Sequence, residues 1–282
     1  MFRKISVICA VLLASAAISG CDSGTYSAEK RFWHASKDLN KLLQAPDKAS
    51  PVEYQKIIDK FREITIRYPT WPNSAQAQFN IGQLYAIQGS VAKARDEFLV
   101  ILKEHPENTD LCSRALYMVA ITYEAADDAP KAIENLNRIM SDYPDTGTAL
   151  QVPVHIAEYY KLKGKNDEAS AAYVTAIDKY KKYISDNSKT YGALVTIDLI
   201  VTCYADQAKW AEALEYLDSL VAAHGDTLLA PKALFVAGAI YEQKTNQPEK
   251  AALNYRLITE KYPNTPFAKL AEKQLEAINK SK

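Results

Sequence analysis

Charge of one sign is missing from this chain: 34 lysines and arginines stand against 34 aspartates and glutamates over 282 residues. Without a basic stripe the phosphate neutralisation that nucleic-acid binding needs is excluded as a function. Histidine is scarce, and His34, His105, His155 and His224 are scattered without ligand spacing. No CxxC pair accompanies them, so no metal site is expected. GxSxG, HExxH, the P-loop and GxGxxG are absent too, and the chain reads as a non-enzyme with no catalytic residues, no cofactor and no small-molecule substrate. Paired carboxylates such as Asp127 and Asp128 fall in a turn between helices, where solvation and capping account for them. Long apolar runs are lacking, with one exception.

That run, residues 5–18, follows Arg3 and Lys4 and is shorter than the roughly 20 residues a membrane span requires. A positive start, an apolar stretch and small residues read as an export signal. Ile18-Ser19-Gly20-Cys21 resembles the lipobox of bacterial lipoproteins. The resemblance implies that residues 1–20 are removed as a signal peptide and that Cys21 becomes the lipidated N-terminus. A plain signal peptide, or an uncleaved anchor beside a coincidental cysteine, is the alternative. Two or three acyl chains hold a protein on a membrane without a spanning helix, since each buried methylene contributes roughly 0.8 kcal/mol. Residues 21–28, small and polar after the cysteine, are then expected to be a short tether, with residues 29–282 the folded array. Asp22 resembles the residue that retains lipoproteins in the inner membrane of enteric bacteria. The expected place is the cell envelope, lipid-anchored and facing the periplasm, at either the inner or the outer membrane. Of the remaining cysteines, Cys112 and Cys203 sit on apolar faces of different predicted helices and read as buried thiols; an oxidising compartment leaves a disulfide between them open.

Internal repetition dominates the rest. Residues 77–106 align without a gap on residues 115–144: Gly82 meets Ala120, Tyr85 meets Tyr123, Ala94 meets Ala132, Phe98 meets Leu136 and Pro106 meets Pro144. A third copy, from Val152, supplies Ala157, Tyr160, Gly164, Ala169 and Tyr173, and a fourth, from Thr196, supplies Val201, Tyr204, Ala213 and Leu217. The fifth, from Ala233, brings Gly238 and Tyr241, then Ala251, Tyr255 and Pro263 after one extra residue. This spacing demands two antiparallel helices per unit, with small residues where the pair crosses and aromatics between layers. Each hairpin has an unfinished core that its neighbour completes.

The small, aromatic, small, aromatic, proline order resembles the tetratricopeptide repeat over roughly residues 50–264. The resemblance implies an all-α solenoid of five to six helical hairpins, closed by a capping helix over residues 265–279. Between the third and fourth copies, residues 179–192 are expected to form either a helix extended by about two turns or a loop, and to mark a junction between two sub-arrays. Lys179 to Lys182, with Tyr180 and Tyr183, read as a solvated helix end or as a contact with lipid headgroups or an acidic partner.

Tyr68-Pro69, Tyr143-Pro144 and Tyr262-Pro263 each stop a helix. This Tyr-Pro form is similar to repeats of two envelope proteins, the BamD component of the outer-membrane β-barrel assembly machinery and the periplasmic coordinator encoded beside the Tol-Pal system. What the resemblance implies is a scaffold that binds envelope proteins or peptide segments, in barrel assembly, in cell-wall or division coordination, or as an accessory subunit of an inner-membrane export complex. First helices line the inner surface of such repeats. At those positions stand Gln76, Phe79 and Gln83, then Arg114, Tyr117 and Glu124, then Glu158 and Lys161, Asp198 and Thr202, and finally Lys232, Phe235 and Glu242. Aromatic anchors and charges of both signs suit a polypeptide ligand. The alternative is that Phe79, Tyr117 and Phe235 pack between hairpins.

Overall fold

A computed structural model describes residues 19–280, with side chains from residue 24 onward. The export signal therefore lies outside the described residues, as do the side chains of Cys21 and Asp22. Among the described residues are thirteen α-helices and one short 3-10 turn. No described helix is long and apolar enough to cross a membrane. The helices form two compact units that divide between Thr148 and Ala149.

The first unit contains α1 (Ser19–Leu43), α2 (Pro51–Arg67), α3 (Ser74–Ile87), α4 (Val91–Glu104), α5 (Thr109–Ala125) and α6 (Ala129–Asp142). Beyond the division run α7 (Gly147–Leu162), whose first turn spans it, α8 (Asn166–Asn187), α9 (Tyr191–Ala205), α10 (Trp210–Ala223), α11 (Leu229–Gln243), α12 (Pro248–Lys261) and α13 (Pro266–Lys280). Odd-numbered helices are the first of each pair and even-numbered ones the second, so the all-α array of hairpins ends on α13 as a cap.

The first unit packs around Phe61, Phe79, Phe98, Leu84 and Leu111, which belong to its buried core. In the second unit Tyr173, Tyr180, Ile197 and Leu217 share a core, and Leu234, Tyr255 and Ile258 share another with α13. Arg62, Gln78 and Glu97 tie α2, α3 and α4 together by hydrogen bonds in the first unit.

Five of the six hairpins turn alike; the first, between α1 and α2, turns through the 3-10 stretch Pro46–Lys48. Gly89, Asp127, Gly164, Ala208 and Asn246 all have positive φ, between 50° and 80°. In each case the next N–H donates to a tyrosine carbonyl of the first helix: Ser90 to Tyr85, Asp128 to Tyr123, Lys165 to Tyr160, Lys209 to Tyr204 and Gln247 to Tyr241. This left-handed cap satisfies a carbonyl the helix end would leave bare, and only glycine adopts it without a Cβ penalty. Ala208→Gly is accordingly expected to raise stability by about 1 kcal/mol, and Gly89→Ala to lower it by about as much, both read from urea midpoints.

Second helices also end alike, except α8, which runs on to Asn187. The backbone N–H of Tyr68, His105, Tyr143, His224 and Tyr262 donates to the carbonyl four residues back. His224-Gly225 thus performs the same stop as the Tyr-Pro pairs, because the terminating geometry needs only a break after the capping residue.

Three expectations need correction. Residues 24–28 do not hang as a tether: they lie in α1, Ala28 is fully buried, and the Tyr68 hydroxyl donates to Ser27 Oγ at 3.2 Å. Ala28 opens the apolar stripe Ala28, Ala35, Leu39 and Leu42, whose periodicity carries the helix back through the polar residues. Residues 179–192 do not divide the array; Ile184, Ala193 and Ile197 belong to one core, and α8 reaches 22 residues where α6 has 14. Within that cluster Tyr180 is 1% exposed and Tyr183 packs on Gly192, so neither aromatic is presented to headgroups.

Candidate functional site

First-helix faces are built by the same packing that forms the core, and what remains exposed on them is what a partner meets. In the first unit Gln76 donates to Asn80 Oδ1 at 2.9 Å along α3, and Gln83 is half-buried one turn further. Phe79 is 2% exposed and its ring lies 5.2 Å from that of Phe98 on α4. It is a packing residue and no anchor for a ligand. Arg114, exposed on α5, sets its guanidinium 4.7 Å above the same ring, while Tyr117 and Glu124 are half-buried on that helix. Arg114 therefore roofs the core at the point where a ligand anchor was expected.

The second unit consumes most of its predicted charges internally. Lys232 on α11 pairs with Asp198 on α9 at 2.7 Å, and the Thr202 hydroxyl donates to the Asp198 carbonyl. Lys161 Nζ donates to the Asp206 carbonyl at 2.6 Å, and the Tyr173 hydroxyl donates to the Asp206 carboxylate at 2.9 Å. The Tyr255 hydroxyl donates to Glu242 at 3.3 Å. Phe235 is half-buried with its ring 5.6 Å from Tyr255 and 6.3 Å from Phe267, another packing role.

Burial first, and then the Asp206 carboxylate, push the Glu158 carboxyl above its ordinary range; His155 and Lys161 pull the other way. A carboxyl raised in the folded state costs stability as pH climbs from its unfolded value through its folded one, and costs nothing below both. Glu158→Gln is therefore expected to raise the unfolding temperature at neutral pH and to leave it unchanged at a pH below the ordinary carboxyl range.

With these groups accounted for, one open feature of the first-helix face in the second unit is a cleft of about 220 Å³ between α9 and α11. Val201, Thr202 and Ala205 line one wall, Val236, Ala239 and Gln243 the other, and the Lys244 ammonium lies 5.7 Å over the ring of Trp210 beside them. Thr202 was legible from the repeat register as a groove position; Val201 was read there only as the small residue of the fourth copy, and Val236 and Ala239 were not read at all. The signal was there in α9, where Leu194, Leu199 and Val201 add apolar side chains beyond the buried Ala193, Ile197 and Ile200. A helix apolar around most of its circumference has more than one face to cover.

Cys112 and Cys203 are free and fully buried, and burial pushes the Cys203 thiol up to about 12. Among the described residues no group of histidine, cysteine and carboxylate side chains is arranged to hold a metal ion.

Models of the tetratricopeptide repeat match residues 58–109 and 203–266, and a second model of the same repeat matches residues 114–146. Together they span just over half of the chain. No curated protein is significantly similar to it. Among solved structures, BtubC (BKLC) from P. vanneervenii is similar at 14% identity and a TM-score of 0.44, over 81% of this chain and 90% of that one. PilF from Pseudomonas aeruginosa is similar at 14% identity and a TM-score of 0.41, over 92% and 100% of the two chains. The human IFIT1 dimer with m7Gppp-AAAA is similar at 12% identity and a TM-score of 0.41, over 88% of this chain and 58% of that one. With its helical hairpins, its repeated small-to-aromatic contacts and the repeat models that match it, the chain belongs to the tetratricopeptide-repeat family.

Proposed function

We propose that this protein is a lipid-anchored scaffold on the periplasmic side of the cell envelope, holding a polypeptide partner against the first helices of its second unit. The observation that carries the reading is the apolar cleft between α9 and α11, walled by Val201, Val236 and Ala239, on a face whose charges are already paired. A groove with apolar walls and a few flanking polar groups takes a peptide's side chains, with Gln243 and Lys244 at hand for its backbone or its acidic residues. The lipobox at residues 18–21 supports the anchor. Barrel assembly at the outer membrane, in the manner of BamD, is the sharper form of the proposal.

Affinity purification from envelopes, wild type against Val236→Arg, tests it. The barrel-assembly core is expected with the wild type and at least about tenfold less of it with the variant, whose helical content stays unchanged. Peptidoglycan synthases in its place move the protein to cell-wall coordination. A partner set untouched by Val236→Arg overturns the assignment of the cleft. Density separation of the two membranes, with Asp22→Ser alongside, decides the address: outer-membrane migration keeps the barrel reading. Inner-membrane retention released by the substitution makes Asp22 the sorting signal and turns the search to export or wall machinery.

A further inference from the structure

Helix α1 packs one stripe and exposes the opposite one. Ala28, Ala35, Leu39 and Leu42 are buried, and Arg31 and Asp38 on the flanks pair with Glu63 and Lys60 of α2. Half a turn around the axis stand Tyr26, Lys30, Trp33, Lys37 and Lys41, all exposed. Tyr26 is 68% and Trp33 57% exposed, and the Lys37 ammonium lies 5.4 Å from the centre of the Trp33 ring.

Capping helices of repeat arrays ordinarily turn a polar face to water. The other end of the chain shows that pattern: α13 exposes Lys269, Glu272, Lys273, Glu276 and Lys280, both signs interleaved and no aromatic ring. On α1 the exposed stripe instead combines two amphipathic aromatics with three lysines; Glu29 stands at its border, and Asp38 and Glu53 lie beside Lys41 at its far end. Tyrosine and tryptophan concentrate where one end of the ring is apolar and the other wet, and lysines reach from such a surface to anionic headgroups.

We propose that the outer stripe of α1 is a membrane-contact face that lies on an anionic lipid surface, with Tyr26 and Trp33 at headgroup depth and Lys30, Lys37 and Lys41 on the phosphates. The inference rests on the anchoring proposed above, and it adds an orientation. Cys21 lies five residues before Tyr26 in the same helix. At 1.5 Å per residue the stripe from Tyr26 to Lys41 runs about 22 Å along the axis, so α1 lying flat keeps all five side chains on the bilayer that holds the anchor. A helix running flat from its anchor leaves the first hairpin against the lipid.

The test uses the chain purified from membranes with its anchor in place, in a Trp71→Phe/Trp210→Phe background that leaves Trp33 the sole tryptophan. It is reconstituted into phosphatidylcholine vesicles with and without phosphatidylglycerol, and flotation is measured beside the quenching of Trp33 by bromine-labelled lipid. Expected are flotation in both and strong quenching in the anionic vesicles. Lys30→Glu/Lys37→Glu/Lys41→Glu is expected to lower that quenching at least about fivefold without loss of flotation. Flotation with an unquenched Trp33 overturns the contact alone: access to aqueous iodide would make the stripe a solvated cap, and shielding from it would give the stripe to a second copy or another protein. Equal quenching in the triple variant overturns it as well, since nearness to the anchor would then suffice. Failure to float removes the anchoring proposal and this inference with it.

Discussion

Tyr180→Phe is expected to destabilise the second unit by about 2–4 kcal/mol, far more than the loss of one hydroxyl at a surface. Pro153 sits inside α7, where it has no N–H to give and its ring presses on the carbonyl of the turn before. The Tyr180 hydroxyl meets the backbone at that point. It accepts from the Val154 N–H at 3.2 Å and donates to the Leu150 carbonyl at 2.7 Å, bridging the two groups that an unbroken helix would join directly. Tyr180 is 1% exposed and Val154 6%, so phenylalanine would leave a buried donor and an acceptor without partners. Each such group costs about 1–3 kcal/mol. The control is Pro153→Ala, which lets the ladder close across Val154 and Leu150. In that background Tyr180→Phe is expected to cost less than half as much, a coupling visible in urea unfolding of the four chains. Equal costs in both backgrounds would mean that the hydroxyl does not substitute for the helix bond.

That bridge was invisible in the sequence, although its parts were not. The repeat register placed Tyr85, Phe98 and Gly82 correctly because those positions answer to contacts that recur at fixed spacing from copy to copy. Tyr180 answers to Pro153, a single irregularity in another helix, and without the tertiary contact it read as part of a basic, solvated helix end. The same distinction divides the candidate site. Register carried Gln76, Arg114 and Thr202 to the first-helix surface. It did not show that Phe79 and Phe235 would turn inward against Phe98 and Tyr255, or that Lys232 and Asp198 would satisfy one another across neighbouring helices. Periodicity reports which way a backbone position faces; pairing between side chains decides what is left there for a ligand. Tether composition misled for a related reason. Residues 22–27 are small and polar, but helix extension is driven by the stripe they adjoin.

Gly82→Ala is the companion prediction, expected to cost the first unit about 2 kcal/mol even though alanine is the better helix former by about 1 kcal/mol. A Cβ at Gly82 would stand 2.6, 2.8 and 2.9 Å from three atoms of the Phe98 ring, which is fully buried and packed 5.2 Å from the ring of Phe79. Gly238 meets Tyr255 in the same way, with a nearest distance of 2.6 Å. The second repeat solves the crossing differently, with Ala120 and Leu136 at the corresponding places, both fully buried. Small and large are therefore matched within a hairpin. Installing the second repeat's pair in the first, as Gly82→Ala/Phe98→Leu, is expected to recover at least about 1 kcal/mol against the sum of the single changes. Phe98→Leu alone leaves a void that the methyl added by Gly82→Ala partly fills, whereas Gly82→Ala alone puts that methyl where the ring leaves no room. Additive costs in the cycle would show that Gly82 is kept for its backbone and not for the ring above it. Favourable coupling would make the crossing pair the unit that each hairpin selects. It would also explain how copies with different residues at these places still close the same hairpin.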